Sequence, residues 1–241
     1  MIPKKIWQTS AFEYQELPYY LKVMTETWKD LNPDYKYEYV SDKDCKQMLL
    51  KDYGPEYVDL YNSIKIGFVR ADFWRYLTLK KHGGFYADID TYCLKGLSSW
   101  ISLDNKMVVA EETFAELGTV TLQWFFGTTA NNIYIDNVVK IMLDKINDKK
   151  FGQEITTAQT SPWVFTEGIN LASSKDGLFF YNKSFLDEHG QENIRHISAN
   201  KKFTDYHIRN KPAESDYWNI GNNPDIKVYN KSYNSSSVKD T

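Results

Sequence analysis

Asp88-Ile89-Asp90 is the part of this chain best suited to chemistry. It closes the run Gly83-Gly84-Phe85-Tyr86-Ala87, which reads as a glycine break and then a buried, aromatic-led strand. Residues two apart in a strand project to the same face. Asp88 and Asp90 would then stand side by side with no Lys or Arg between them, and repel unless a cation joins them. Hard divalent ions such as Mg²⁺ or Mn²⁺ take oxygen ligands and keep positions open for phosphate oxygens. The deduction is a metal–diphosphate site, with a sugar nucleotide as the favoured diphosphate. A bare Asp-x-Asp carries little weight, since most are solvated turns; the residues around this one supply the weight.

Upstream, Arg70-Ala71-Asp72-Phe73-Trp74-Arg75-Tyr76-Leu77 has helical spacing, with Phe73, Trp74, Leu77 and Leu79 as apolar positions. Asp72 and Arg75 lie three apart and share a helix face, so they can pair. On its own that is an ordinary intrahelical ion pair. His82-Gly83-Gly84 stops the helix, because glycine takes the positive φ of a C-cap at little cost. Helix, Gly-Gly, strand and Asp-x-Asp within some twenty residues form a specific arrangement.

The elements that must position these residues alternate along the chain. The spacing predicts a strand over 5–9, a helix over 19–31 ended by Asn32-Pro33, and a strand over 35–40. Ser41 and Asp42 cap a helix to about Asp52, and a helix-rich insert follows to Phe68. Short strands are expected at 107–110, 121–127 and 177–181, and helices at 131–146 and 163–173. Strands alternating with helices imply an α/β domain with a mixed, mostly parallel sheet. Ligands of such sheets bind beyond the carboxyl ends of the strands, where Asp88 and Asp90 fall.

A chain of 241 residues fits one domain with a sizeable core. The net charge of −3 gives no general attraction to nucleic acid or anionic membrane. Cys45 and Cys93 form no framework and no Cys/His cluster, which favours two plain thiols in a reducing compartment. Met1-Ile2-Pro3-Lys4-Lys5 runs straight into the first strand without a visible signal peptide, and no apolar stretch is long enough to span a bilayer. The expected location is cytoplasmic, either free or peripheral at the inner face of the membrane.

Arg70-Ala71-Asp72-x-x-Arg75-Tyr76-x-x-Leu79-x-x-x-Gly83-Gly84-x-Tyr86-x-Asp88-x-Asp90 resembles the core signature of the DXD sugar transferases of glycosyltransferase family 32. These include fungal mannosyltransferases and bacterial capsular-polysaccharide transferases. The same stretch is similar to the catalytic domain of the glucosylating bacterial toxins. Ile2-Pro3-Lys4-Lys5-Ile6-Trp7-Gln8-Thr9 resembles the family's opening, with Trp7 where many members have His, and Asn32-Pro33-Asp34-Tyr35-x-Tyr37 is a second, weaker match. The resemblance extends to about residue 100 and is thin beyond it.

The resemblance implies a GT-A-like, Rossmann-type nucleotide-binding fold with helical insertions. It divides residues 1–230 into a donor-binding part to residue 100 and an acceptor-side part beyond it; the polar residues 231–241 read as a flexible tail. It also implies a retaining, Mn²⁺- or Mg²⁺-dependent transfer of a hexose from a nucleotide sugar to a glycan or lipid-linked glycan. The donor expected is a UDP-hexose, with GDP-mannose as the alternative. Asp72, Arg75, Asp88 and Asp90 are the candidate catalytic residues. By analogy Asp90 ligates the metal directly, Asp88 faces it through water or ribose, Asp72 binds donor-sugar hydroxyls and Arg75 reaches sugar or phosphate.

Trp7 and Gln8 are placed to meet the nucleotide base, with core packing as the competing reading for Trp7. Tyr86 either binds ribose or phosphate or packs, and Arg70 either joins the donor site or orients an acidic neighbour. The third metal ligand of such enzymes comes from a late loop, and His207 is taken for it over His196. Trp218 is either a lid over the diphosphate or core. Thr160-Ser161-Pro162-Trp163 resembles a loop near the sugar, and Glu111 and Glu112 stand at another strand end. Two other functions use the same residues: a sugar-nucleotide hydrolase, or a carbohydrate-binding protein with a relict motif.

Overall fold

Lys5–Ser10 (β1) and Lys36–Ser41 (β2) run in parallel, in register from Lys5 opposite Lys36 to Ser10 opposite Ser41. The helix Tyr19–Leu31 (α1) connects them. These positions come from a computed structural model that describes residues 1–114, 118–149, 153–182 and 193–196. All fall within one compact unit, Met1–His196. Asp42–Tyr53 (α2) starts at Ser41, whose hydroxyl accepts the Asp44 N–H and satisfies one orphan donor of the first turn. Pro55–Ser63 (α3) follows with proline at its first position, where the missing N–H has no partner to lose.

Gly67–His82 (α4) carries Asp72 and Arg75. It ends at Gly83, whose φ is 63° and where a Cβ would lie only 2.9 Å from the Thr128 carbonyl oxygen, leaving no room for a side chain. Gly84–Ala87 (β3) then pairs in parallel with β1, Ile6 opposite Phe85 and Trp7 opposite Tyr86. Thr91–Cys93 (β4) leaves this sheet and pairs antiparallel with Ile194–His196 (β8).

Met107–Phe114 (β5) and Gly118–Thr128 (β6) form a hairpin longer than the two short strands expected there. Ile133–Asn147 (α5), Thr157–Thr160 (α6), Pro162–Asn170 (α7) and Leu178–Asn182 (β7) complete the described elements. The main sheet has the order β2-β1-β3-β6-β5-β7. β6 runs antiparallel to both its neighbours and the other three pairings are parallel, so the sheet is mixed and mostly parallel, as expected.

Strand alternation divides the interior. Ile6, Phe85, Val108 and Ala110 face one core with Trp28 of α1; Trp7, Tyr86, Met107 and Val109 face the other, with α4, α5 and α7. In α5 the apolar residues Ile135, Val138, Val139, Ile141 and Met142 are buried, whereas Ile133 lies exposed in the first turn. α5 begins one turn after the tight loop at Asn131, and Asn132 caps it by accepting the N–H groups of Tyr134 and Ile135. The buried Cys45 and Cys93 thiols are each pushed up to about 12 by burial, which keeps them protonated and unreactive.

One irregularity bears on the site. Val109 of β5 stands opposite Phe126 of β6, yet Ala110 stands opposite Leu122. Gln123, Trp124 and Phe125 therefore bulge away from β5, and Phe125 pairs with Ala87 of β3. Bulges re-aim side chains, and this one puts Trp124 and Phe125 into the same core although they are adjacent.

Candidate active site

Asp88 and Asp90 meet at the carboxyl end of β3, but through a turn and not a strand. β3 ends at Ala87, and the Thr91 N–H and hydroxyl both return to the Asp88 carbonyl, at 3.2 and 2.6 Å. The alternation expected of an extended segment is thus not what aligns the two carboxylates. Three further contacts hold the turn: Asp88 N–H donates to the Trp124 carbonyl at 2.8 Å, Gln8 Nε2 donates to the Asp88 carbonyl at 2.9 Å, and Tyr86 donates its hydroxyl to Asp88 Oδ1 at 2.7 Å.

His196 closes this edge. The β4–β8 register sets it opposite Thr91, and its Nε2 lies 3.2 Å from Asp90 Oδ1 and 3.7 Å from Asp88 Oδ2. One ligand atom from each of the three residues lies within 4.8 Å of the others. Two carboxylates and an imidazole fit a divalent ion: oxygen suits Mg²⁺ and Mn²⁺, and nitrogen draws the set toward transition metals such as Mn²⁺. His196 is the histidine the structure brings to the motif; His207 and Trp218 lie outside the described residues.

Behind this edge is a buried ionic cluster. Arg75 Nη2 lies 3.1 Å from Asp72 Oδ1 and 3.0 Å from Asp88 Oδ1, and Nη1 donates to the Gln123 carbonyl at 2.8 Å. The guanidinium carbon sits 4.2 Å from the centre of the Tyr86 ring. Asp72 also accepts from Gln123 Nε2 and from the Thr160 hydroxyl, each at 3.0 Å. Tyr76 donates to Gln123 Oε1 and to the Thr160 carbonyl, tying α4 to β6 and α6. A carboxylate offers about four acceptor sites. The three donors named leave Asp72 capacity for one more hydroxyl.

Burial pushes the Asp72 carboxyl up to about 6, with Arg75 opposing and Asp88 adding to the rise. Asp88 is raised as well, first by burial and then by Asp90, again against Arg75. Burial opposes the Arg75 charge, but Asp88 and then Tyr86 and Asp72 outweigh it, so Arg75 stays protonated. One cation thus holds the buried Asp72 and the partly exposed Asp88 together. The guanidinium is anchored between Asp72, Asp88 and the Gln123 carbonyl.

Other expected roles also shift. Trp7 belongs to the core: it is 4% exposed, its indole N–H donates to the Gly83 carbonyl at 2.9 Å, and its ring packs edge-on against Trp74. Gln8 is fully buried, gripping the Asp88 carbonyl while Tyr37 donates to its Oε1 at 2.6 Å. It positions the Asp-x-Asp turn and does not face a base. Tyr86 packs and donates to Asp88, one of its two expected roles. Arg70 pairs with an acidic neighbour, Asp42 Oδ1, at 3.6 Å. Glu111 and Glu112 lie inside β5 and not after its end. Ser161 precedes α7 without a side-chain cap bond, and Trp163 is exposed in its first turn.

Sequence reasoning missed Gln123, Trp124 and Thr160 as parts of the site. Thr160 was within reach, lying in the stretch compared with a sugar-proximal loop. Gln123 and Trp124 gave no local signal, because a bulge depends on two partner strands at once.

Residues 18–111 match the family described as the glycosyltransferase sugar-binding region containing DXD motif. The chain is 39% identical over 115 residues to an initiation-specific alpha-1,6-mannosyltransferase of Candida albicans, covering 46% of this chain and 29% of that protein. It is 31% identical over 148 residues to an uncharacterized glycosyltransferase of Acanthamoeba polyphaga mimivirus, covering 61% and 58%. The chain thus spans less than two thirds of these relatives. Among solved structures, the PaToxG glycosyltransferase superposes with a TM-score of 0.52 at 21% identity, covering 70% of this chain and 69% of that one. That likeness shows the fold, which is GT-A-like.

Proposed function

From a chain that carries the glycosyltransferase DXD sugar-binding region over residues 18–111, we propose a metal-dependent, retaining transfer of a hexose from a nucleoside diphosphate sugar to a carbohydrate or glycolipid acceptor. The observation that carries this reading is the convergence of Asp88, Asp90 and His196 beside the buried Asp72–Arg75 pair. Asp88, Asp90 and His196 would hold the ion, with His207 the other candidate from the sequence. When bound, such an ion neutralises charge building on the leaving diphosphate.

The chain's own residues supply the rest. Asp72 keeps acceptor capacity for one donor-sugar hydroxyl, on a carboxylate already fixed by Gln123 and Thr160. Arg75 keeps Asp72 and Asp88 at a set separation, so the sugar end and the diphosphate end of the donor meet a preformed pair of carboxylates. Fixing groups before the reaction is where electrostatic catalysis gains most. No carboxylate is assigned the role of a general base.

The nucleotide remains a choice of two. A UDP-hexose is the reading from the sequence, whereas the mannosyltransferase names of fungal relatives at 33–39% identity favour a mannosyl donor such as GDP-mannose. Incubating full-length protein and Mn²⁺ with UDP-hexoses or GDP-mannose, plus a glycan acceptor mixture, tests both. Product NMR should show a new glycosidic linkage with the donor's anomeric configuration. Free sugar alone would make the protein a sugar-nucleotide hydrolase, and an inverted linkage would refute retention. No helix among the described residues is long and apolar enough to cross a membrane. Flotation of the native protein with vesicles tests the proposed peripheral association at the inner membrane face, and absence from the lipid fraction would refute it.

A further inference from the structure

The bulge in β6 does two things at once. At Gln123 it presents a backbone carbonyl to Arg75 and an amide to Asp72. At Trp124 it presents a backbone carbonyl to the Asp88 N–H and an indole face to His196. The two rings stack at 4.7 Å between centroids, 20° from parallel. Trp124 is 7% exposed, so its indole is fixed by the core and not by His196. In a regular strand Trp124 would share a face with Phe126, on the α4 side; the bulge moves it to the side of Phe125, where β8 delivers His196.

We propose that Trp124 is a positioning residue that holds the His196 imidazole edge-on to Asp88 and Asp90, completing a divalent-metal site with three protein ligands. The inference rests on the reading of those three residues as the metal site. Stacking suits the task, because a parallel ring restrains imidazole tilt while leaving both nitrogens in the ring plane to ligate or donate. Hydrogen-bonded partners that orient a ligating histidine typically contribute ten- to a hundredfold to metal affinity, and a stacked aromatic pair contributes about two- to tenfold. The Trp124 backbone carbonyl, bonded to Asp88, ties that ligand's position to the same residue.

The test uses full-length protein with Mn²⁺, free Mn²⁺ being counted by electron paramagnetic resonance in the presence of UDP or GDP. Asp90→Ala and His196→Ala should each weaken Mn²⁺ binding at least tenfold. Trp124→Leu should weaken it by about five- to tenfold, and Trp124→Phe, which keeps a flat ring, should restore it to within about twofold of wild type. In wild type, Mn²⁺ should quench indole emission, and Trp124→Phe should lose most of that quenching while still binding the ion. This second readout stands even if Trp124→Leu does not fold. Unchanged affinity in Trp124→Leu with weakened His196→Ala, or quenching that persists in Trp124→Phe, would overturn the role of Trp124 alone. Unchanged affinity in both Asp90→Ala and His196→Ala would overturn the metal reading beneath it.

Discussion

The two halves of the site are built on opposite terms. The half made of Asp72, Arg75, Gln123 and Thr160 is closed, with Asp72 and Arg75 side chains only 4% exposed. The half made of Asp88, Asp90 and His196 is open, with Asp90 30% exposed and two carboxylates drawn toward one imidazole. Buried charges persist only when paired, because desolvation costs several kcal/mol per ion. The closed half therefore belongs to the fold as much as to the site. In the open half Asp90 and His196 converge with Asp88 at a partly exposed edge, while Asp88 also joins the Arg75 cluster. A mutation in one half should show in stability, and in the other in binding.

The largest effect should come from Arg75→Met. It strands the buried Asp72 and removes the partner of the partly exposed Asp88, and breaking a buried pair typically costs about 3–5 kcal/mol. Urea denaturation should show a lower midpoint by that measure, and any protein that folds should have lost activity. An unchanged midpoint would mean that the cluster does not sustain the fold. Asp90→Ala is the opposite case: thermal stability should move by less than about 0.5 kcal/mol, as for other partly exposed positions, while metal-dependent nucleotide binding falls at least tenfold. A strongly destabilised Asp90→Ala would erase the contrast between the halves.

Asp72 sharpens the comparison through pH. Its carboxyl titrates near 6 in the folded protein against an ordinary value of 3.8. The folded state thus holds a proton that the unfolded state has released, and the stability this gives is full below about 3.8 and lost as pH rises through about 6. Metal-free wild type should lose on the order of 1–3 kcal/mol relative to Asp72→Asn between pH 4 and pH 7. Denaturation curves of both proteins across that range check it, and parallel pH profiles would refute it. Gln123→Leu should destabilise by about 1–2 kcal/mol, since it removes one donor to Asp72 and one acceptor for Tyr76. It should leave Mn²⁺ affinity within about threefold. The smallest effect is expected for Arg70→Ala, whose ion pair with Asp42 is partly exposed at 3.6 Å; a loss under about 1 kcal/mol is anticipated by calorimetry.

Local signals made α4 legible in the sequence: its apolar spacing, its Gly83 stop, and the strand leading to the motif. The same signals placed α1 over Tyr19–Leu31 and the cap at Ser41. What could not be read was set by partners distant along the chain. Trp7 looked like a base-stacking residue because β1 gives no clue to which face is covered; α4 covers it through Trp74. Gln8 looked like a base-reading amide, but the Asp88 turn, eighty residues on, takes its hydrogen bond. The Asp-x-Asp pattern fits a strand and a turn equally well, and the Thr91 bonds decide for the turn. His196 becomes a neighbour of the motif only through the three-residue strand β8, too short to carry a periodic signal.

The central claim is that the open half is a divalent-metal site for a nucleoside diphosphate. Calorimetric titration of UDP, and then GDP, into wild type and Asp90→Ala, with and without Mn²⁺, tests it most directly. The account predicts binding of one nucleotide that requires Mn²⁺ and disappears in Asp90→Ala. Binding of neither nucleotide, or equal binding without the ion and in the variant, would contradict it.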